Sequence, residues 1–571
     1  MAYNILGIHP GHNGSAALIS DGKLVYYLEE ERLSRFKRDG NPFRTMVDIF
    51  SKYKINELII GGTNEPKEHN TLPWTWENTY QSLTRKFNPD VKTTVLNHQH
   101  HLLHAACAYF NSGFNKSIVL VIDGAGSLKY HNPDYDNNKE ISSFEAESIW
   151  VVKDNNEITP IYKSYGGNEY FKSNTTKELI DNAVTITKTY EAVTQFLGWE
   201  GIEGGKTMGL APYGKQNSNI PPLFKNGRGS RDIFIPQFPG GAIIDDYNNP
   251  VFKRHRKASA FHQNQNELLE IEADLAWQIQ NDTQEEVAKL IQKAVSLTGL
   301  DKICIAGGYG LNCVTNYWIK KRFPKLKIYH EAISHDGGTA IGAAYLGWVN
   351  YSTTKTKFKK QTSIYLGPKY TTNQYLKIIK NYNNMFNQYK APPSQIAKLI
   401  SERNIVCIFQ GKSEAGPRAL GNRSILYDPT DPNGKDFVNK VKKREWFRPF
   451  AGTVLLEKAN EWFDMAGLEE SPFMMYAMDV WPDKQEKIKA ITHVDGTCRI
   501  QTVTEKQNPH YYKLIQEFEK ITGVPILFNT SFNLAGDPLV ETIEDALETL
   551  LKSELKYLYL PELEMLLEKK Q

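Results

Sequence analysis

The chain has 571 residues, of which 40% are hydrophobic, 12% aromatic and 23% charged. These values exclude an intrinsically disordered protein and predict a folded chain of two or three domains. The formal net charge is only +3, because 68 basic residues are balanced by 65 acidic ones, and this argues against a nucleic-acid-binding surface.

The five cysteines are odd in number and contain no Cys-x-x-Cys pair, which predicts reduced thiols. The N-terminal sequence lacks a basic segment followed by a long apolar stretch, so it predicts no secretory signal. No run approaches the roughly 18 apolar residues that a membrane span requires. We therefore expect a cytoplasmic protein with no membrane partner.

The first predicted elements are three strands. Tyr3–Ile8 has the pattern of a buried strand, and the strands SAALIS and KLVYYLEE are joined by Asp21 and Gly22, a strong hairpin signal. Helical spacing follows at Pro42–Tyr53, and a further strand is predicted at Glu57–Gly62. This mixture predicts an α/β fold.

Units of strand and glycine turn recur along the first 350 residues, at Gly7–Ser15, Asp123–Gly126 and Gly307–Gly310. Such turns can present backbone N–H groups and one carboxylate to a ligand. A long helix is predicted at about Asn266–Leu297, before the third of these strand-and-turn motifs. Three such units in one domain predict a split nucleotide-binding domain.

Histidines in the segment NHQHHLLHAA have the spacing of a metal site. His100 and His104 are four residues apart, so on a helix they share one face. Asp123, at the end of a predicted strand, and Asp336, in SHDGG, can complete a shell of nitrogen and oxygen ligands. Such a shell fits divalent iron, manganese or zinc, and the spacing does not select among them.

His12 lies in the glycine turn GIHPGHNG, where a ligand can approach closely. It can be a turn histidine that hydrogen-bonds the backbone. It can also be a general base for an acceptor hydroxyl, because an imidazole near its ordinary pKa takes up protons at neutral pH. The sequence leaves both interpretations open.

A polar, basic and Thr-rich segment, Tyr351–Thr362, predicts a linker between two domains. Beyond it, we predict a helix at Ser394–Glu402, a strand at Ile405–Gln410 and a helical end at Glu541–Lys570. The predicted domains are residues 1–355 and 356–571.

Basic residues in the second domain are interleaved with glycine, proline and aromatic residues. The segment SEAGPRALGNRSILYDP suits a clamp for phosphate or carboxylate, and VKKREWFRPFAG places further cations beside Trp446 and Phe447. Partly buried cations require anionic partners. The predicted anion pocket comprises Arg418, Arg423, Lys442, Arg444, Arg448, Arg499, Asn529, Ser531 and Asn533.

Together with HNGSAAL, EEERLSR, VIDGAG, GGKTMGLAPYG and AGGYGLNC, these motifs resemble the carbamoyltransferase family that includes the tobramycin, novobiocin and nodulation-factor O-carbamoyltransferases. The resemblance covers nearly the whole chain. It implies an N-terminal domain of the actin-like ATPase (ASKHA) superfold, similar to the tRNA threonylcarbamoyl transferases. It also implies a C-terminal α/β domain similar to the YrdC threonylcarbamoyl-adenylate synthases.

The resemblance implies an ATP-dependent reaction in which carbamoyl phosphate and ATP, with Mg²⁺, give carbamoyl adenylate, whose carbamoyl group passes to an acceptor hydroxyl. The acceptor class stays open among an antibiotic sugar, an oligosaccharide and a hydroxymethylpyrimidine nucleotide. Implied catalytic residues are His12, Arg418 and Arg423. Lys442, Arg444, Arg448, Arg499 and Asn529 would bind carbamoyl phosphate and ATP. Gly124, Lys206, Gly307, Gly308 and Asn312 would bind the nucleotide in the first domain. His100, His104, Asp123 and Asp336 would bind a metal, with Fe²⁺ favoured over Mn²⁺ or Zn²⁺.

Two alternatives remain at this stage, a threonylcarbamoyl-type transfer to tRNA and a sugar kinase of the same superfold. The weak net charge argues against tRNA, and the arginine-rich second domain argues against a kinase. Nucleic acid is therefore expected only as a modified-nucleotide acceptor, and a homo-oligomer is compatible with the sequence. We expect Thr63–Asn97 and the Asn- and Pro-rich insertion Lys215–Gln265 to shape the acceptor site.

Overall fold

The computed structural model describes residues 2–61, 76–96, 98–130, 141–153, 156–167, 173–175, 178–182, 186–220, 222–225, 228–229, 235–236, 242–243, 260–352 and 358–570. The chain divides into two compact units. The first unit comprises Met1–Glu30 and Arg38–Gln361, and the second comprises Glu31–Lys37 and Thr362–Gln571. A short segment near the N-terminus therefore belongs to the second unit.

The first unit begins with a five-stranded sheet. Its strands are β1 (Asn4–His9), β2 (Ser15–Ser20), β3 (Lys23–Glu29), β4 (Glu57–Gly61) and β5 (Lys92–Leu96), in the order β3-β2-β1-β4-β5. β1, β2 and β3 are antiparallel, whereas β4 and β5 continue parallel to β1. The predicted hairpin is confirmed, because Asp21 and Gly22 both have positive φ, as a tight two-residue turn between strands requires.

A second sheet of the first unit repeats this topology. Its order is β10-β11-β9-β8-β6-β16-β17, with β7 paired to β8. β9, β8 and β6 are antiparallel, and β16 and β17 continue parallel to β6. The duplicated plan agrees with the actin-like resemblance. The strands of this sheet are β6 (Ser117–Ile122), β7 (Leu128–Tyr130), β8 (Ile141–Val152), β9 (Ile158–Gly167), β10 (Ser173–Thr175), β11 (Glu178–Asn182), β16 (Lys302–Ala306) and β17 (Lys327–His330). Two separate two-stranded sheets pair β12 (Phe224–Lys225) with β13 (Arg228–Gly229) and β14 (Ile235–Pro236) with β15 (Ala242–Ile243).

The helix α1 (Glu31–Ser34) lies in the second unit. The helices of the first unit are α2 (Phe43–Phe50), α3 (Trp76–Phe87), α4 (His100–Ser112), α5 (Ile186–Phe196), α6 (Gly204–Leu210), α7 (Ala260–Gln263), α8 (Glu270–Thr298), α9 (Cys313–Arg322) and α10 (Thr339–Tyr351). α4 and α10 pack closely at Gly342, where an added Cβ would lie 2.0 Å from the carbonyl oxygen of Leu103. This glycine therefore fixes how near the histidine-bearing helix lies to α10.

The second unit is built on a nine-stranded mixed sheet in the order β18-β26-β25-β19-β20-β24-β21-β23-β22. Its strands are β18 (Phe386–Lys390), β19 (Val406–Phe409), β20 (Arg423–Tyr427), β21 (Ala451–Leu455), β22 (Ala477–Asp479), β23 (Thr497–Val503), β24 (Ile526–Ser531), β25 (Tyr557–Leu560) and β26 (Met565–Lys569). Its remaining helices are α11 (Thr372–Lys380), α12 (Pro393–Ser401), α13 (Gly434–Lys442), α14 (Ala459–Trp462), α15 (Pro509–Thr522) and α16 (Ile543–Leu551).

The prediction of a helical end at Glu541–Lys570 is wrong beyond α16. β25 pairs parallel with β19, and β26 returns antiparallel to β25. The leucine spacing suggests a helix, but the Tyr-Leu-Tyr-Leu run suits a strand that is buried on both faces, and Pro561 cannot continue a helix. Sheet pairing with a strand about 150 residues earlier in the chain overrides the local pattern.

The mixed α/β class is confirmed by both units. Most of the insertion Lys215–Gln265 and parts of Thr63–Asn97 lie outside the described residues, so their predicted role at the acceptor site stays a prediction. Among the helices that the structure describes, none combines the length and the apolar composition needed to cross a membrane.

Candidate metal centre and anion site

Four side chains predicted to bind a metal come together in the first unit. His100 lies at the start of α4, and His104 lies one turn later on the same face. Asp123 follows the last residue of β6, and Asp336 lies in the short turn that leads into α10. One potential ligand atom from each residue lies within 4.8 Å of all the others. We call these residues the metal quartet.

The distances within the metal quartet suit a small cation. The Nε2 atoms of His100 and His104 are 3.1 Å apart. His100 Nε2 lies 3.2 Å from an Asp123 oxygen and 3.6 Å from an Asp336 oxygen, while the corresponding distances for His104 are 4.0 and 3.6 Å. Ligands about 2.1 Å from a metal lie roughly 3 to 3.5 Å from one another, so small adjustments would bring all four into contact with one ion.

Electrostatics within the quartet favour a positive charge. Burial alone would lower the pKa of His100, but Asp336 and Asp123 raise it to about 10. Burial would raise the pKa values of the two carboxyls, but the neighbouring histidines, His100 above all, hold both well below their usual range. Without a metal, the site therefore retains a proton, and a metal ion would replace it.

Neighbouring groups fix the orientation of the quartet. The carboxylate oxygen of Asp123 that lies away from His100 accepts a hydrogen bond from the N–H of Gly308 at 3.0 Å. The backbone N–H of His100 donates to the Ser127 hydroxyl at 3.2 Å. Gly307 has φ +88°, and an added Cβ there would lie 2.3 Å from the carbonyl oxygen of Ile122. Such supporting contacts are typical of metal sites, because they hold the ligands in one arrangement.

The predicted nucleotide-binding residues of the first unit have varied environments. The N–H of Gly308 donates to the carboxylate of Asp123, and Gly124 is the residue that follows Asp123 in the chain. Lys206 forms an ion pair with Glu203 at 2.8 Å. The buried side chain of Asn312 caps α9 by accepting from the N–H of Thr315. Their assignment to nucleotide binding stays a prediction.

His12 and His9 flank the turn after β1, and their environments differ. The side chain of His12 is exposed, as a base that meets an incoming acceptor must be. His9 is only 2% exposed, and its Nε2 lies 3.1 Å from the carbonyl oxygen of His12. The ring centre of His9 is 6.1 Å from that of His100. Sequence analysis singled out His12 and overlooked His9, although both lie in one short turn.

In the second unit, Glu414 organises the segment Ser413–Asn422, which we call the arginine loop. One oxygen of its buried carboxylate accepts hydrogen bonds from the N–H groups of Leu420, Asn422 and Arg423, at 2.8, 2.8 and 3.1 Å. Three donors converging on one oxygen close the loop into a fixed shape. The carbonyl of Gly416 in this loop accepts from Arg32, on α1, at 2.9 Å.

The two arginines of this region have different environments. Arg418 is half-buried in the arginine loop. Arg423 is fully buried on β20, where it donates to the carbonyl oxygens of Gln410 and Gly411 and stacks on Phe409, 3.7 Å from the ring centre. Its guanidinium thus already has protein acceptors, so this geometry favours a positioning role. Direct contact of Arg423 with a substrate stays a prediction.

Four further cations of the predicted anion pocket form a cation cluster, which comprises Lys442, Arg444, Arg448 and Arg499. Burial, together with the charges of Arg444 and Arg448, holds the pKa of Lys442 well below its usual range. The pKa of Arg444 is lowered as well, by burial and by the charges of Arg448 and Arg499, although Glu445 acts in the opposite direction. These side chains therefore repel one another in a shielded environment, which an anion would relieve.

Contacts of the cation cluster are made mainly with neutral groups. Lys442 donates to the carbonyl and hydroxyl of Ser531 and to the carbonyl and side-chain oxygens of Asn533. Arg444 stacks on Phe450 at 4.7 Å, while Arg448 forms an ion pair with Glu445 at 3.4 Å. Such a group of cations can bind a phosphate.

Asn529 is buried on β24, and its amide N–H₂ donates to the hydroxyl of Thr453 at 2.9 Å. The side-chain oxygen of Asn529 is buried and has no hydrogen-bond partner in the part of the chain that the structure describes. Sequence analysis missed the roles of Glu414 and Arg32, although both lie in motifs that it singled out, SEAGPRAL and EEERLSR.

Comparisons with known proteins agree with these two units. The family profile described as Carbamoyltransferase N-terminus matches residues 52–345, and the one described as Carbamoyltransferase C-terminus matches residues 397–568. An uncharacterised protein of Synechocystis is 29% identical, over 98% of this chain and 95% of its own length.

Nodulation protein NolNO of Sinorhizobium fredii is also 29% identical, over 95% of this chain and 77% of its own length. Among solved structures, full-length HypF in a phosphate- and nucleotide-bound form is 11% identical, over 62% of this chain and 56% of its own, with a TM-score of 0.34. The two family profiles cover most of both units. The chain therefore belongs to the carbamoyltransferase family of enzymes.

Proposed function

We propose that the protein is an ATP-dependent O-carbamoyltransferase that makes carbamoyl adenylate and transfers its carbamoyl group to an acceptor hydroxyl. The cation cluster of the second unit is the observation that carries this proposal. Carbamoyl phosphate and ATP are both phosphate esters or anhydrides, and a cluster of mutually repelling cations suits them. In this proposal, residues 356–571 form the YrdC-like activating domain and residues 1–355 form the transfer domain.

The first half-reaction takes place in the activating domain. Water hydrolyses carbamoyl phosphate to carbamate and phosphate. A carbamate oxygen then attacks the α-phosphorus of ATP, the bond to the β-phosphate breaks, and pyrophosphate leaves. Lys442, Arg444, Arg448 and Arg499 stabilise the negative charge on the donor phosphate and on the nucleotide, with Mg²⁺ accompanying ATP. Arg418 and Arg423, with Asn529, shape and complete this pocket.

The second half-reaction takes place in the transfer domain. Gly124, Lys206, Gly307, Gly308 and Asn312 hold the adenylate. The acceptor oxygen attacks the carbamoyl carbon, its proton passes to His12, and AMP leaves with the electrons of the broken anhydride bond. His12 suits this role because it is exposed and lies in an open turn.

The metal quartet supports a divalent ion, and we favour Fe²⁺ over Mn²⁺ or Zn²⁺. Its two imidazoles and two carboxylates form a nitrogen and oxygen shell that these ions accept. The ion, when bound, orients the adenylate and polarises it for attack. His100, His104, Asp123 and Asp336 would hold the ion, and the hydrogen bond from Gly308 would keep the Asp123 carboxylate in place.

The proposal is tested by incubating the full chain with ATP, Mg²⁺, Fe²⁺ and ¹⁴C-labelled carbamoyl phosphate, with a panel of sugars, oligosaccharides and hydroxymethylpyrimidine nucleotides. We expect release of pyrophosphate and AMP, and ¹⁴C on the acceptor. Formation of ADP would instead indicate a kinase, and transfer that requires threonine and tRNA would indicate a threonylcarbamoyl transferase. Either result, or carbamoyl transfer without consumption of ATP, would contradict the proposal.

A further inference from the structure

His9 carries a buried acceptor beside the metal quartet. Its side chain is 2% exposed, at the last position of β1. Its ring centre lies 6.1 Å from that of His100. The charge of Asp336 and the rings of His100 and His104 act on it electrostatically. His9 thus lies beside His100, His104 and Asp336 without being one of the candidate ligands.

The proton of the His9 ring can be assigned from its contacts. Nε2 lies 3.1 Å from the carbonyl oxygen of His12, and a carbonyl can only accept, so Nε2 carries the hydrogen. The ring is buried beside two further imidazoles, and such surroundings disfavour a second proton on it. The other nitrogen, Nδ1, is therefore a bare acceptor.

Nδ1 of His9 is buried and has no hydrogen-bond partner in the part of the chain that the structure describes. A buried acceptor without a donor costs on the order of 1 to 3 kcal/mol. A donor that arrives with a ligand removes this cost. The quartet offers four ligands, whereas an octahedral ion such as Mn²⁺ accepts six, so water would complete its coordination and could donate a hydrogen bond to Nδ1.

We propose that His9 Nδ1 accepts a hydrogen bond from a water molecule that completes the coordination of a metal ion held by the quartet. His9 is thus a positioning residue, which holds the solvent ligand that an incoming acceptor or adenylate must displace. The inference rests on the metal site of the proposed function, but on none of its carbamoyl chemistry.

Two amide variants separate the two nitrogens of the ring. His9→Asn places an oxygen near the position of Nδ1 and loses the donor to His12. His9→Gln places an amide N–H₂ near the position of Nε2 and loses the Nδ1 acceptor. Mn²⁺ affinity of the full chain, measured by electron paramagnetic resonance titration, should weaken about tenfold in His9→Gln and stay within about threefold of wild type in His9→Asn. Equal affinities for wild type and His9→Gln, or equal losses in both variants, would overturn the proposal.

A second measurement needs no variant. Water-proton relaxation of the wild-type chain saturated with Mn²⁺ should show at least one exchanging water on the metal, and its absence would overturn the proposal. His12→Asn is the control, because its exposed side chain should leave Mn²⁺ affinity unchanged while transfer is lost. A wild-type chain that binds no Mn²⁺ would refute the metal site, whereas a failed pyrophosphate assay would refute the carbamoyl chemistry alone.

Discussion

One carboxylate oxygen of Asp123 accepts the N–H of Gly308 at 3.0 Å while the other lies 3.2 Å from His100 Nε2. A single side chain thus connects the glycine turn after β16 to the metal quartet. In the proposed reaction, the turn would hold the adenylate and the quartet would hold the ion, so Asp123 would link these two parts of the site.

The proton held by the quartet predicts how metal binding depends on pH. The raised pKa of His100, about 10, means that its ring is protonated at neutral pH without a metal. An incoming ion must displace that proton, so Mn²⁺ affinity should rise about tenfold for each pH unit between pH 6 and 8. Calorimetry in buffers of different ionisation enthalpy should show release of about one proton per ion. An affinity that does not change with pH would contradict the assignment.

Gly342 sets the approach of α4 to α10. In Gly342→Ala, the new methyl group would lie 2.0 Å from the carbonyl oxygen of Leu103, so the two helices must separate. We expect a loss of about 1 to 3 kcal/mol in the free energy of unfolding and weaker Mn²⁺ binding, because α4 carries His100 and His104. Gly205→Ala is the matched control. Gly205 lies within α6, and no other atom lies within 4 Å of an added Cβ. This substitution should leave Mn²⁺ affinity unchanged, and the free energy of unfolding should stay the same or rise slightly.

Lys442 is predicted to bind the donor phosphate. Lys442→Met keeps the length of the side chain but removes its charge from the cation cluster. We expect KM for carbamoyl phosphate to rise at least about tenfold, the size of one charge-assisted hydrogen bond to phosphate. Lys440→Met, at an exposed position of the same helix α13, should change KM less than twofold. Equal kinetics for both variants, measured by pyrophosphate release, would remove Lys442 from the site.

Glu541 predicts a pH-dependent stability. It is fully buried, 3.8 Å from Arg423, and burial outweighs the nearby arginines and raises its pKa to about 7. An acid whose pKa is raised by folding stabilises the fold below its unfolded pKa, and that contribution is lost as the pH rises towards 7. Glu541→Gln should therefore gain stability relative to wild type between pH 5 and 8, on the order of 3 kcal/mol. Thermal melting of both proteins across this range measures the difference, and a constant difference would contradict it.

The metal quartet could be predicted in part from local spacing. His100 and His104 share a helix face wherever that helix lies, so their pairing needs no tertiary information. Asp123 and Asp336 were chosen as carboxylates beside glycine turns, but their proximity to the histidines depends on the folded chain, because the four residues meet only through β6 and the turn before α10. His9 was missed because a buried acceptor is defined by the contacts of the folded chain.

Sequence analysis of the second unit was less complete for the same reason. Arg423 and Arg448 look alike in sequence. Only the fold shows that Arg423 donates to backbone carbonyl groups, whereas Arg448 pairs with Glu445 and acts electrostatically on Lys442. Glu414 gains its role only when the loop folds back, so that three backbone N–H groups six to nine residues further along the chain donate to one of its oxygens. The C-terminal strands β25 and β26 depend on pairing with β19 and could not be read from local leucine spacing.

The assignment of Glu31–Lys37 to the second unit has a consequence for dissecting the enzyme. Arg32 donates to Gly416 of the arginine loop, and Arg35 donates to the carbonyl oxygens of Pro538 and Leu539. A truncated fragment that starts at Thr362 would therefore lack residues that belong to the second unit. No single cut in the gene yields both units complete. Separate expression requires the heptapeptide 31–37 to be supplied in trans or grafted onto the fragment.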